Sequence, residues 1–326
     1  MRNLGENNGK FFLLLKQISQ EKHRKKAKAY YRKIFRSSTR KRFSSVVRKG
    51  VLIVCSFYRN DIPRICDALF TITERYAIIK QRKKLRKRNE EMKKALIFYG
   101  GWEGHEPKQV SSRFANILEK HGFSVDRCEG LDCLADREAL MGYDLIVPCF
   151  TMGVLLQEYE KNVSYAVSRG VGMAGCHGGM CDSFRNSTEW QFITGGQWVS
   201  HPGGDGVTYT VSVRHGSNPI TEGIEDFSVC TEQYYLHVDP AVEVLATTRF
   251  PLVNSFHAAN KPVDMPVAWT KYWGFGRVFY CSLGHHDDVF DQAPSAALMM
   301  ERGMLWAAEG KQIAKEQNAD ITKYEA

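Results

Sequence analysis

From Lys94 onward, short apolar runs alternate with stretches whose apolar residues recur at helical spacing. Lys94 to Gly101 (KALIFYGG) is an apolar run ending in glycines, as suits a buried strand. Gln109 to His121 then places Val110, Phe114, Ile117 and Leu118 on one helical face before Gly122 stops it. Ser124 to Arg127 predicts a second short strand, Ala135 to Met141 a short helix, and Tyr143 to Cys149 (YDLIVPC) a third, buried strand. Leu155 to Ser168 is amphipathic and closed by Gly170, and Val171 to Cys176 is the fourth strand. Strands alternating with helices at this spacing predict an α/β fold with a doubly wound, mostly parallel sheet and helices on both faces.

Beyond Cys176 the pattern becomes aromatic and glycine-rich. Thr188 to Phe192 suits the start of a helix, and Gly195-Gly196-Gln197-Trp198 reads as a lead into His201-Pro202. Val207 to Val213 (VTYTVSV) alternates strictly, as a strand with one exposed face does. Further strands are predicted at Phe227 to Cys230, Val242 to Thr248, Pro266 to Trp269 and Gly276 to Ser282, and here the sheet is expected to become mixed. Ala293 to Ala308 predicts the last long helix, and residues 311–326 read as a polar tail, a frayed helix at most.

Composition changes this picture at the N-terminus. The chain has 326 residues, 43% of them apolar and 12% aromatic, enough for a substantial core. Its formal charge of +9 is unevenly spread: residues 1–90 hold 26 Lys and Arg against 6 Asp and Glu, roughly +20, which leaves roughly −11 for the remainder. Residues 1–91 therefore read as a basic, non-globular extension, disordered or partly helical, ahead of a domain over 92–310. Its basic runs with interleaved Tyr and Phe would suit RNA, DNA or anionic lipid, or simply a solvated face. A third reading, which we favour, is that translation starts at Met92, because MKKALIFYGG opens a strand-first domain. Nine cysteines at irregular spacing, without CxxC pairs, fit free thiols in a reducing cytoplasm. No run approaches the roughly 18–20 apolar residues a membrane span needs, and Phe11 to Leu15 is too short for a signal peptide's apolar region.

Candidate chemistry gathers where strands end. The stretch GVGMAGCHGGM from Gly170 to Met180 turns an apolar strand sharply at Cys176-His177, and the crevice beyond such strand ends is where ligands bind in open α/β sheets. His105 follows the first strand, His201 precedes Pro202, Glu232 lies in CTEQYY, and His285-His286 follows the last strand. A lone histidine is most often a hydrogen-bonded structural residue, but several at strand ends fit catalytic groups delivered by loops to one rim.

These motifs carry a resemblance. Gly100-Gly101 with His105, the corner MAGCHGG, GGQWVSHP from Gly195 to Pro202, NPITEGI to EQYY from Asn218 to Tyr235, and PVAW to GFGRVFYCSLGH from Pro266 to His285 together resemble the ThuA-like (trehalose utilisation) family. That family lies in the class I glutamine amidotransferase-like superfamily, so the resemblance, covering roughly Met92 to Gly310, implies a flavodoxin-like sheet. It further implies a role in bacterial sugar utilisation, on oxidised (3-keto) disaccharides or glycosides. The partners expected are a carbohydrate substrate, a sugar dehydrogenase of the same pathway, and further copies of the chain in a homo-oligomer.

Two mechanisms compete. In the wider superfamily a nucleophilic Cys sits at the corner; Cys176 stands there, GCHG resembles the ICHG corner of the PfpI and DJ-1 branch, and His286-Asp287-Asp288 offers a His-x-Asp. ThuA-like members, however, commonly carry an aliphatic residue at Cys176, while the neighbouring His belongs to their motif. The preferred set is therefore His177, His201, Glu232 and His285, with His105, acting as acid and base or, through His177, His201 and Glu232, holding a divalent zinc or manganese ion. Gly101, Trp102, Trp198 and Tyr234, with Tyr235 and Trp273, are the residues expected to meet a sugar. A non-catalytic sugar-binding or scaffold domain is the third reading.

Overall fold

The computed structural model describes residues 92–320 and Thr322, apart from Ser217 and Asn260. The expectations placed on residues 1–91, namely a non-globular extension, nucleic-acid or lipid binding and a start at Met92, lie outside the described residues.

The elements follow in order as β1 (Lys94–Gly101), α1 (Pro107–Lys120), β2 (Ser124–Glu129), α2 (Arg137–Met141), β3 (Leu145–Thr151), α3 (Gln157–Ser168), β4 (Gly172–Cys176), α4 (His177–Cys181) and α5 (Thr188–Thr194). Then come β5 (Gly196–Ser200), β6 (Val207–Val213), β7 (Phe227–Thr231), β8 (Tyr235–Val238), β9 (Glu243–Phe250), β10 (Val263–Trp273) and β11 (Gly276–Cys281). The chain closes with α6 (Val289–Gln292), α7 (Pro294–Ala308) and α8 (Gly310–Glu316).

One nine-stranded sheet carries the order β2-β1-β3-β4-β11-β10-β9-β6-β7. The first five run parallel, in the flavodoxin-like order with β11 as fifth strand. The remaining four pair antiparallel, the mixed half that the alternation of VTYTVSV foreshadows. Alternation along β1 divides the core: Ala95 and Ile97 face Phe114 of α1 and Met300 of α7, whereas Leu96 and Phe98 face Val163 of α3 and Trp190 of α5. Helices therefore cover both faces. β10 outruns its expected span because a bulge between Pro266 and Ala268 absorbs a residue without an N–H to donate.

Two features differ from expectation. GQWVS forms β5, paired with β8 in a separate two-stranded sheet. Its leading glycines read only as a lead into His201-Pro202, but Gly195 caps α5 at φ +85 and Gly196 lies where a Cβ would come within 2.8 Å of the Trp269 ring. At the C-terminus, α8 is docked: Lys311 Nζ donates to the carbonyls of Met141 and Tyr143 at 2.6 and 2.8 Å, and Ala314 is buried against Gly170. Among the described residues no helix is long and apolar enough to cross a membrane.

Candidate active site

The site is built on the corner after β4. Cys176 is still extended, with φ −132° and ψ 158°, and the turn is made by His177 at φ +47°. Left-handed backbone at a non-glycine residue costs on the order of 1–3 kcal/mol and persists only where its surroundings enforce it. Here Tyr280 Oη donates to the His177 carbonyl at 3.1 Å, and Tyr234 stacks on the imidazole with ring centres 4.0 Å apart. Gly178 and Gly179 let neighbours close in: a Cβ on Gly178 would lie 2.3 Å from His105 Cε1, and one on Gly179 would lie 3.0 Å from Cys149 Cα. The strained residue at the corner is thus His177, one position later than the Cys176 corner drawn from GCHG. Cys176 packs among the core residues of one sheet face, and burial pushes its thiol well above the ordinary range, opposite to an activated nucleophile.

Three strand-end segments bring buried side chains to His177. His105 stands in the turn after β1, Glu232 directly after β7, and His285 in the loop after β11. Glu232 Oε2 lies 3.2 Å from His177 Nε2 and 3.3 Å from His285 Nδ1, and the two imidazole nitrogens are 3.3 Å apart. One ligating atom from each of His105, His177, Glu232 and His285 falls within 4.8 Å of the others. His201, directly after β5, approaches the other carboxylate oxygen: its Nδ1 is 3.1 Å from Glu232 Oε1, without hydrogen-bond alignment. Its side chain is 36% exposed, so it stands at the mouth while the other four are inside.

Outer contacts fix the rings. His177 Nδ1 donates to the Ser282 carbonyl at 2.8 Å, and its Nε2 stands 3.2 Å from Glu232 Oε2, where a neutral ring presents a lone pair and an imidazolium donates. His105 Nδ1 is 2.9 Å from Thr151 Oγ1. Arg113 on α1 forks onto both Asp287 and Asp291 at 2.7–2.9 Å, and the Asp287 N–H donates to Glu106 Oε2 at 2.9 Å. That clamp ties the loop carrying His285 to the turn carrying His105.

Burial pushes the His105 imidazole down to about 2 and lowers that of His177 as well. Burial alone would raise the Glu232 carboxyl, but hydrogen bonds and charge from His177 and His285 in their protonated forms more than offset this and hold it well below the usual carboxylate range. Unfolded, a histidine takes up its proton near 6.5, so below that pH the unfolded chain binds more protons and native stability falls. In metal-free protein we expect His105→Gln to flatten this acid-side loss by up to about 1.4 kcal/mol per pH unit. Urea unfolding at several pH values between about 7 and 5 checks it; parallel curves for variant and wild type would count against a neutral buried His105.

The remaining expected residues divide. Trp102 is 45% exposed, packs edge-on against His105 at 4.6 Å, and is available to a sugar ring. Trp198 lies 5.5 Å from the His201 ring, beneath the Arg185 guanidinium at 4.5 Å, and its Nε1 has no partner. Tyr234 is buried and forms a wall of His177 rather than an open platform. Gly101 has φ +81° and sits where any Cβ would strike the Thr151 carbonyl, a backbone role. Tyr235 stacks on His257, and Trp273 sits at the opposite strand end against Phe192, both away from the cluster. His286, Asp287 and Asp288 do not act as a pair: His286 faces Asp205 at 3.4 Å, Asp287 is held by Arg113, and Asp288 accepts from Gln292. Sequence reasoning missed Thr151, two residues past the expected end of its strand, and the Arg113 clamp. Only the helical phase of Arg113, opposite an acidic Asp287-to-Asp291 stretch, could have signalled the latter.

A flavodoxin-like parallel core with a strained corner after its fourth strand, ringed by side chains from neighbouring strand ends, defines an α/β protein whose site lies at the carboxyl edge of its sheet. Within that class the chain belongs to the ThuA family (Trehalose utilisation), whose profile matches residues 94–307. Its fold is similar to that of a ThuA-like protein from Parabacteroides merdae, at 19% identity and TM-score 0.54, over 68% of this chain and 91% of that one. A ThuA-like protein from Bacteroides uniformis is similar at 20% identity and TM-score 0.53, over 66% and 91%. No curated protein matches the chain.

Proposed function

We propose that this protein is an enzyme of carbohydrate metabolism that cleaves or hydrates oxidised, 3-keto disaccharides or glycosides at the His/Glu cluster. The observation that carries this reading is the convergence of His105, His177, Glu232 and His285 in a buried group, with His201 and Trp102 at its mouth. A keto group at C3 acidifies the C2–H. A base removes that proton, the electron pair moves to the carbonyl oxygen as an enolate, and the C1–O glycosidic bond then breaks as its oxygen is protonated. Water adding at C1, with a proton returned to C2, completes hydrolysis. The enolate develops negative charge on oxygen, which a buried site stabilises with oriented cationic or donor groups.

Roles follow from position. His201 is the member of the set whose ring is partly exposed at the mouth, where an imidazole can serve as general acid or base. Glu232, held ionised, is a weak base and serves to hold and orient the imidazoles around it. Trp102 offers an apolar face to the sugar. Because the substrate is oxidised, a sugar dehydrogenase must act before this enzyme. Incubating the full chain with 3-keto-trehalose and with trehalose, followed by NMR, tests the reading. Consumption of the oxidised sugar alone is expected; inertness toward it, or equal consumption of both, would contradict the proposal.

A further inference from the structure

We infer that His177 Nε2, His285 Nδ1 and Glu232 Oε2, closed by His105, form a binding site for a divalent transition-metal ion of the zinc class. The inference rests on the same cluster as the proposed activity, but its test passes through no sugar.

The first argument is the spacing. The three atoms form a triangle with edges of 3.2, 3.3 and 3.3 Å. Bonds of about 2.0–2.2 Å to a tetrahedral zinc place neighbouring ligand atoms roughly 3.3–3.5 Å apart. The triangle therefore already has nearly the dimensions of one face of a coordination shell. His105 brings the fourth ligating atom within 4.8 Å of these three.

The second argument is the count of lone pairs. A neutral His177 spends its one N–H on the Ser282 carbonyl, so its Nε2 is an acceptor, and a carboxylate at Glu232 is acceptor-only. These two acceptors face each other at 3.2 Å. If His285 Nδ1 carries a proton, it can point to either neighbour or be shared, but the edge between His177 Nε2 and Glu232 Oε2 stays unbridged. A cation at the centre of the triangle meets all three acceptors at once. Leaving such groups buried and opposed costs free energy, and all four side chains here are buried.

The third argument is support from outside the cluster. Metal-ligating histidines usually engage their second ring nitrogen with a carbonyl, carboxylate or other polar group, which fixes tautomer and direction. His177 does so with Ser282, and His105 has Thr151 Oγ1 at 2.9 Å. The Arg113 clamp on Asp287 and Asp291 steadies the loop of His285. Three imidazoles with one carboxylate favour zinc over magnesium or calcium, which prefer oxygen. His201, on the far carboxylate oxygen, stays outside the shell and free for proton transfer. An ion held there supplies a Lewis acid beside the substrate carbonyl.

The test uses the full chain, stripped with chelator, reloaded with zinc, dialysed and assayed by elemental analysis. Because other Cys and His residues can hold zinc, the readout is a difference between variants. Wild type should retain one equivalent more than Glu232→Gln and His285→Ala, with zinc affinity about 100-fold or more higher. Asp205→Asn, which removes the exposed carboxylate of the alternative Asp205, His285 and His286 group, should retain as much as wild type. Cobalt loading adds a visible absorption band that the two ligand variants should lack. Circular dichroism confirms that each variant is folded; should one not fold, His105→Gln replaces it in the comparison. Equal zinc retention in wild type and folded ligand variants, or loss only in Asp205→Asn, would overturn the site. Zinc bound without sugar turnover would leave this inference standing and remove the proposed activity; turnover without zinc would do the reverse.

Discussion

Glu232→Gln is expected to lower kcat/KM for a 3-keto disaccharide by about 100- to 10,000-fold while the protein still folds. Both carboxylate oxygens are engaged, Oε2 with His177 and His285 and Oε1 with His201. The amide keeps the shape of the side chain but removes the charge and replaces one acceptor with a donor. A neutral amide can neither balance an imidazolium at His177 or His285 nor act as the anionic ligand of a cation shared with them. The backbone at this position has its own anchor, since Tyr209 Oη donates to the Glu232 carbonyl at 2.9 Å, so the loop should hold its course. Steady-state kinetics paired with a thermal melt separates the effects. A cooperative melt with a rate within about threefold of wild type would show that Glu232 is not part of the reaction centre.

Much of this fold was legible because period and burial agree. KALIFYGG and YDLIVPC are short apolar runs that become strands covered on both faces, and VTYTVSV alternates because one of its faces meets solvent. The five polar residues singled out also meet: His105, His177 and His285 because parallel strands deliver their following loops to one edge, and Glu232 and His201 from the antiparallel strand β7 and the separate strand β5. What escaped depends on pairings between distant segments. Gly195 to Trp198 read only as a lead into His201-Pro202, yet Gly195 ends a helix and Gly196 begins a strand, because the Trp269 ring occupies the space a side chain would need. Thr151 and Ser282 carry no motif; their importance lies in an oxygen atom placed beside an imidazole nitrogen. The corner itself was legible to within one residue. Four letters, GCHG, do not say which residue takes the left-handed turn, and only the backbone assigns it to His177. The expected metal trio of His177, His201 and Glu232 likewise omits how far inside each lies: His105 and His285 share the buried pocket, whereas His201 looks out of it.

The corner also separates the two mechanisms most directly. If the thiol were the nucleophile, Cys176 would need to ionise, yet burial among apolar neighbours holds its proton, and the left-handed turn belongs to the next residue. His177 instead sets its Nε2 beside Glu232, with its ring fixed by Ser282 and Tyr234. Rates on a 3-keto disaccharide measured side by side for wild type, Cys176→Ala and His177→Ala decide the matter. We expect Cys176→Ala to stay within a few-fold of wild type and folded His177→Ala to fall by about 100-fold or more. Abolished turnover in Cys176→Ala, with His177→Ala near wild type, would contradict the account and return the chemistry to sulfur.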